Sequence, residues 1–227
     1  MQAVILAAGL GKRLRPITEM VPKPLVPVNG KPVIEYTLAN LPPAVTEIIF
    51  VIGHKGYMMR AKFGNFWQGR KIFYVEQKEP LGTGDAVRCA APLVKNKFLL
   101  LYGDDVHGGN GLKQLLRHPA ALLVKKVSDP SRFGVVVVNE AGEVERLVEK
   151  SKQFVSDLAW AGAGVFPAAA LKIKTPLSPR GEYEFTDVIN VLVSQKTLIR
   201  AEETDFWLPG NTPEDIKAAA LILEAVH

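Results

Sequence analysis

The residues best suited to chemistry come first in the chain. An apolar run, Val4-Ile5-Leu6-Ala7-Ala8, breaks into Gly9-Leu10-Gly11-Lys12-Arg13. It continues through Arg15, Pro16 and Thr18 to Pro22-Lys23-Pro24-Leu25. A short buried strand that gives way to glycines and then to basic residues presents backbone amides and cations together, which suits phosphate. Prolines on both sides of Lys23 stiffen its backbone and lower the entropy lost when its ammonium is held against an anion. Two common phosphate loops are excluded on identified residues. The third glycine of a dinucleotide-binding G-x-G-x-x-G falls on Leu14, and a Walker A loop needs Ser or Thr where Arg13 stands.

Later segments carry further chemistry. Gln77-Lys78-Glu79-Pro80-Leu81-Gly82-Thr83-Gly84-Asp85-Ala86 sets an amide side chain and a glycine turn at a helix start. An amide donates and accepts at once, as the edge of a nucleobase requires, and glycine lets a base approach the backbone. Asp85 reads as a helix-start carboxylate favoured by the macrodipole rather than as a catalyst. Leu99-Leu100-Leu101-Tyr102-Gly103-Asp104-Asp105 is an apolar strand ending in carboxylates. Ligands of open α/β sheets bind beyond the carboxyl ends of the strands. A hard dication there, usually Mg²⁺, takes one or two carboxylates together with phosphate oxygens and water. Val148-Glu149-Lys150 on its own reads as a solvated ion pair. The four histidines, His54, His107, His118 and His227, lack metal-ligand spacing, and His107 reads as part of a surface loop.

The opening run from Leu6 to Thr18, followed by Pro22-Lys23-Pro24-Leu25-Val26-Pro27-Val28, resembles the signature of the sugar-1-phosphate nucleotidyltransferases, also called nucleotide-sugar pyrophosphorylases. The later motifs follow in that family's order, so the resemblance extends over essentially the whole chain. It implies transfer of a nucleotidyl group from a nucleoside triphosphate to a sugar-1-phosphate, with Mg²⁺ as cofactor. Leu6, Ala8, Gly9, Gly11, Lys12, Gln77, Gly82 and Thr83 would then bind the nucleotide. Arg13 would face the leaving phosphates and Lys23 the reacting centre. Gly103, Glu149, Lys150 and Gly162 would hold the sugar phosphate, and Asp104 the metal, with Asp105 in reserve.

Departures matter as much. Trp160 stands where N-acetylhexosamine-specific members often carry asparagine, which counts against that sugar; an indole could stack on a sugar face instead. Thr186 and Asp187, in the family-like Gly181-Glu182-Tyr183-Glu184-Phe185-Thr186-Asp187, read as helix caps. In Trp207-Leu208-Pro209-Gly210-Asn211-Thr212-Pro213-Glu214-Asp215, many relatives have a metal-binding aspartate where this chain has Pro209; Asn211, whose amide oxygen could coordinate, is the expected substitute. The Gln77–Ala86 segment looks closest to uridylyl-transferring relatives, so UTP comes first, dTTP second and glucose-1-phosphate by default. Pro209 keeps open a catalytically silent sensor that binds a nucleotide-sugar. A molybdopterin-type nucleotidyltransferase shares the opening loop but is disfavoured by Glu149-Lys150 and the Gln77–Gly84 motif.

These residues need a frame. Apolar β-branched runs predict strands at 2–6, 47–52, 71–75, 97–102, 121–127, 134–138, 144–149, 159–166 and 197–200. Helical periodicity predicts helices near 32–40, 54–63, 83–91, 110–117, 183–195 and 213–225. The alternation implies an α/β fold: a doubly wound, mostly parallel, Rossmann-like sheet with an antiparallel insertion where 120–166 runs strand after strand, Asn139 to Gly142 making the turn. Thr212, Pro213 and Asp215 predict a capping box on the last helix. One domain over 1–227 is expected, about 1–120 binding nucleotide and about 121–227 binding sugar, with no left-handed β-helix repeat after it. The 227 residues include 28 basic and 23 acidic ones and have an apolar share of 48%. A net charge of +5 suits an acidic small ligand better than nucleic acid. With one cysteine, Cys89, no signal segment and no long apolar span, a soluble cytoplasmic protein is expected, without membrane or nucleic-acid partner; a homo-oligomer is left open.

Overall fold

A computed structural model describes residues 1–151 and 153–226; His227 lies outside them. The strands of the first half are β1 (Gln2–Ala7), β2 (Pro27–Val28), β3 (Lys31–Pro32), β4 (Glu47–Ile52), β5 (Phe66–Trp67), β6 (Arg70–Glu76) and β7 (Phe98–Tyr102). The second half adds β8 (Val106–His107), β9 (Ala121–Lys126), β10 (Gly134–Val138), β11 (Val144–Glu149), β12 (Leu158–Phe166), β13 (Arg200–Glu203) and β14 (Trp207–Leu208). The helices are α1 (Ile17–Met20), α2 (Val33–Ala39), α3 (Gly56–Phe63), α4 (Thr83–Cys89), α5 (Gly109–Leu115), α6 (Phe185–Ser194) and α7 (Pro213–Val226).

One ten-stranded sheet runs β11-β10-β12-β7-β1-β4-β6-β5, with β9 joining β12 to β13. Its heart, β6-β4-β1-β7, is parallel. The antiparallel insertion is the β10–β11 hairpin and the long β12, which bends at an irregularity between Trp160 and Gly164. The central strands are apolar at nearly every position because both faces are covered. Ile5, Ile48, Phe50 and Leu99 face one core with Leu38, Met59 and Leu112. Val4, Ile49, Val51 and Leu100 face the other with Val87, Phe185 and Ile189. Each such side chain contributes about 1.5–3 kcal/mol when fully buried.

The expected strand at 197–200 forms instead as Arg200–Glu203. Residues before it finish α6: the Thr197 amide donates to the Leu192 carbonyl at 3.0 Å and Lys196 takes a φ of 64°. A polar Arg-Ala-Glu-Glu strand then pairs with β9 in parallel, an alignment that only the sheet supplies.

Candidate active site

The opening glycine loop turns at Gly11, where a side chain would not fit. Gly11 has a φ of +61°, and a Cβ there would stand 2.6 Å from Thr18 Cγ2. Thr18 Oγ1 donates to the Gly11 carbonyl at 2.8 Å. Leu14, which displaced the third dinucleotide-motif glycine, is buried and anchors a short 3₁₀ turn over Lys12–Leu14. The loop thereby projects Lys12 and Arg13 over the carboxyl end of β1. A second 3₁₀ turn, Lys23–Leu25, brings in Lys23.

Three adjoining cavities meet over these loops. The middle one, about 290 Å³, holds Arg13, Lys23, Asp104 and Asn211 together with Leu6, Gly9, Gly11, Lys12 and Thr83. A second of about 290 Å³ shares those last five residues and adds Ala8, Gln77 and Gly82. The third, about 170 Å³, shares Arg13, Thr83, Asp104 and Asn211 and adds Glu149, Lys150 and Gly162. Thr83 borders all three, and its Oγ1 accepts from the Phe185 amide at 3.0 Å. A further cavity of about 500 Å³ shares Ala8, Leu10, Gln77 and Pro80 with the second and extends among His54, Lys55 and Arg60. It carries none of the acidic residues expected to act. Gly103 lines none of these cavities. It sits where β7 meets β1, and a Cβ would come 2.7 Å from the Leu6 carbonyl.

At the centre, Lys23 forms an ion pair with Asp104 and donates to Asn211 Oδ1 at 3.1 Å. Arg13 Nη2 donates to the same Asn211 oxygen at 2.9 Å. Two hard oxygens therefore converge on one point where an ammonium now rests. This donor set fits Mg²⁺, which accepts one carboxylate and a neutral oxygen when phosphates complete its shell. Asn211 reaches the point because Gly210 lies directly against the Asp104 carbonyl. The last helix starts as expected: Asp215 Oδ2 accepts from the Asn211 and Thr212 amides at 3.1 and 3.0 Å, and the Asp215 amide donates to Thr212 Oγ1 at 3.2 Å.

Several expectations are corrected. Asp105 is not poised for metal. It is buried, accepting from Trp207 Nε1 at 3.1 Å and from the Gly210 amide at 3.3 Å. Burial and the neighbouring Asp104 carboxylate push its pKa well up, and the hydrogen bonds it accepts pin the Asn211 loop. His107 is not a surface residue but fully buried in the β8–β14 pair. Its Nε2–H donates to the Ala161 carbonyl at 2.7 Å, and burial pulls its pKa down to about 4. Trp160 is largely buried, although it borders the third cavity. Its indole N–H donates to the Ala163 carbonyl at 2.9 Å and its ring packs edge-on against Tyr102, 5.2 Å between centroids. Thr186 does not cap α6: its Oγ1 is buried without a partner among the described residues, the side chain of the N-cap residue Glu184 makes no capping bond, and the Phe185 amide is met instead by Thr83. Asp85 does stand in the first turn of α4.

Further residues at the cleft stand outside every motif of the sequence. Arg180 Nη2 donates to Glu149 Oε1 at 3.2 Å and to Glu184 Oε1 at 2.6 Å, so the expected sugar-binding Glu149 is held from two sides by Arg180 and Lys150. Gly134, at the start of β10, lies so close that a Cβ would be 3.1 Å from Glu149 Oε2. A glycine heading a run of four valines was a visible signal for a close approach. Arg132 donates to Asp215 Oδ1 at 2.7 Å, tying this side of the cleft to the Asn211 loop, and nothing local announces it.

Comparison with known proteins identifies the family. A family model described as nucleotidyl transferase matches residues 2–223. The bifunctional protein GlmU of Methanocaldococcus jannaschii is 34% identical over 222 residues, 96% of this chain and 53% of its own length. This chain thus spans about half the length of that relative. A Haloferax volcanii protein named UTP–glucose-1-phosphate uridylyltransferase AglF is 34% identical over 227 residues, 95% of this chain and 93% of its own. A Bacillus anthracis crystal structure described as a glucose-1-phosphate thymidylyltransferase superposes with a TM-score of 0.87 at 25% identity, covering 100% of this chain and 96% of that one. Among the described residues no helix is long and apolar enough to cross a membrane. With the phosphate loop, the acidic strand end and the family match in register over nearly its full length, the chain belongs to the sugar-1-phosphate nucleotidyltransferase family.

Proposed function

We propose that this protein transfers a nucleotidyl group from a nucleoside triphosphate to a hexose-1-phosphate, releasing pyrophosphate, with UTP the first expected donor and dTTP the second. One observation carries the reading: a base-sized cavity, a cationic centre with two oxygen donors and a polar cage of acids and bases adjoin in that order, all bordered by Thr83. The uridylyltransferase named among the relatives supports the choice of UTP, as does the Gln77–Ala86 motif.

In the reaction an oxygen of the sugar phosphate attacks the α-phosphorus, a new P–O bond forms, and the bond to the β-phosphate oxygen breaks. Both reactants are anions. Unit charges about 4 Å apart repel by roughly 4 kcal/mol at an effective dielectric near 20, so neutralisation is the main demand. The attacking phosphate is already ionised at neutral pH and needs no general base. Lys23 and Lys150 would hold it, while Arg13 and Lys12 would meet the charge developing on the departing pyrophosphate. Asp104 and Asn211 would hold Mg²⁺, which when bound polarises phosphoryl oxygens and orients the reactants. Gln77 and Gly82 would meet the base, Glu149 the sugar hydroxyls. The first half of the chain would thus serve the nucleotide and the second half the sugar.

The deciding experiment mixes five nucleoside triphosphates with a panel of sugar-1-phosphates and Mg²⁺ and records pyrophosphate. Release with UTP and glucose-1-phosphate, abolished by chelator, is the expected result. Binding of a nucleotide-sugar without release from any pair would replace this reading with the silent sensor that Pro209 suggests.

A further inference from the structure

Gln77 faces the base cavity with only half of its amide at liberty. Its Nε2 donates to the Gly82 carbonyl at 3.0 Å and to Asp85 Oδ2 at 2.9 Å, so both amide hydrogens are taken inside the protein. Asp85 is fixed in turn. Arg88 Nη2 donates to its other oxygen, Oδ1, at 2.8 Å, and the Arg88 guanidinium lies over the Tyr183 ring, 4.9 Å from its centre. A flipped amide would set Oε1 against two acceptor oxygens, so one orientation is enforced by the network. Among the described residues no donor meets Gln77 Oε1, although the side chain is largely buried. That oxygen is the atom left to face a ligand.

We infer that Asp85 is a positioning residue for base selection: by holding both hydrogens of Gln77 inward, it makes the base cavity accept a ring N–H and refuse a bare ring nitrogen. Uracil and thymine offer N3–H, and guanine offers N1–H. Cytosine and adenine present a lone pair at the matching ring position, and two lone pairs would face each other. The inference rests on the reading that Gln77 contacts the base, and it adds the reason why the amide can read only one sense. Asp85 touches no ligand; it acts through Gln77.

The test compares kcat/KM for UTP, dTTP, GTP, CTP and ATP at fixed hexose-1-phosphate in the unsubstituted protein, Asp85→Asn and Asp85→Ala. The unsubstituted protein is expected to prefer its best ring-N–H donor over CTP by at least about 10²-fold, because a site built around a hydrogen bond discriminates strongly against its absence. The UTP, dTTP and GTP arms show which of those bases it takes. In Asp85→Asn, Arg88 retains the side-chain oxygen, so the new amide nitrogen points at Gln77 and opposes its present orientation. The ratio over CTP is expected to fall by about tenfold or more, and by less in Asp85→Ala, where Gly82 still holds one hydrogen. A merely structural role would lower all five rates together and leave the ratio intact, a readout independent of the fraction folded. An unchanged ratio in both variants overturns the inference, as does loss of all turnover in variants that still unfold cooperatively. Absence of turnover in the unsubstituted protein removes the underlying reading itself, an outcome that no Asp85 variant can imitate.

Discussion

Replacing Gly210 by alanine adds one methyl group where there is no room for it. An ideal Cβ at this position would stand 2.1 Å from the Asp104 carbonyl oxygen and 3.2 Å from its carbon. A carbon needs about 3 Å or more from such an oxygen, so some part of the backbone must retreat by about 1 Å. Asp104 cannot yield easily. The preceding Gly103 amide donates to the Leu6 carbonyl at 2.9 Å, and β7 is packed against β1 along its length. The retreat therefore falls on Pro209–Asn211. It lengthens the Gly210 contact to Asp105 and withdraws Asn211 Oδ1 from Lys23 and Arg13, now at 3.1 and 2.9 Å. A 1 Å displacement of a group at the reacting centre costs about 10²-fold in rate, and the forced backbone shift about 1–3 kcal/mol in stability. Pyrophosphate release at saturating substrates measures the first, denaturant unfolding the second, with Asn211→Ala run alongside. Both variants should lose kcat in parallel. A folded Gly210→Ala protein turning over within threefold of the unsubstituted one would show that the loop does not position Asn211 for the reaction.

Other perturbations test other joints. Lys23→Ala and Asp104→Ala should each lower turnover by about 10²-fold or more, the scale of losing one preorganised charge contact, and near-normal rates in either would contradict its role. His107 has a folded pKa of about 4 against an ordinary 6.5, so between those values the unfolded chain binds the extra proton. Its contribution is whole above pH 6.5 and lost by pH 4, about 3 kcal/mol in all. His107→Gln should flatten that part of the stability–pH curve, and an unaltered slope in denaturant titrations would count against it. Asp215→Ala removes the acceptor for the Asn211 and Thr212 amides. It should lower stability by about 1–2 kcal/mol, the scale of a lost helix cap, and lower turnover as well; an unmoved unfolding midpoint would exclude the capping role.

How much of this was legible follows from where each constraint originates. Strands such as Glu47–Ile52 carry their own signal, because burial on both faces demands an unbroken apolar run. The capping box at Thr212 is legible for the same reason: its hydrogen bonds span three residues. The two-residue strands Val106–His107 and Trp207–Leu208 have no local signature, since each exists only as the other's partner across a hundred residues. The sequence alone therefore leaves His107 on the surface, although the pairing buries it. The neighbours Asp104 and Asp105 show the limit most sharply. The sequence sets two carboxylates side by side, and composition cannot say which turns outward. That choice is made by Trp207 and Gly210, whose N–H groups capture Asp105 and leave Asp104 to face Lys23. The loop that carries Pro209 thus selects which of the two neighbouring acids faces the cleft. Motifs alone name candidate residues but not this dependence, which makes Asp105, Gly210 and Asn211 one unit rather than three separate positions.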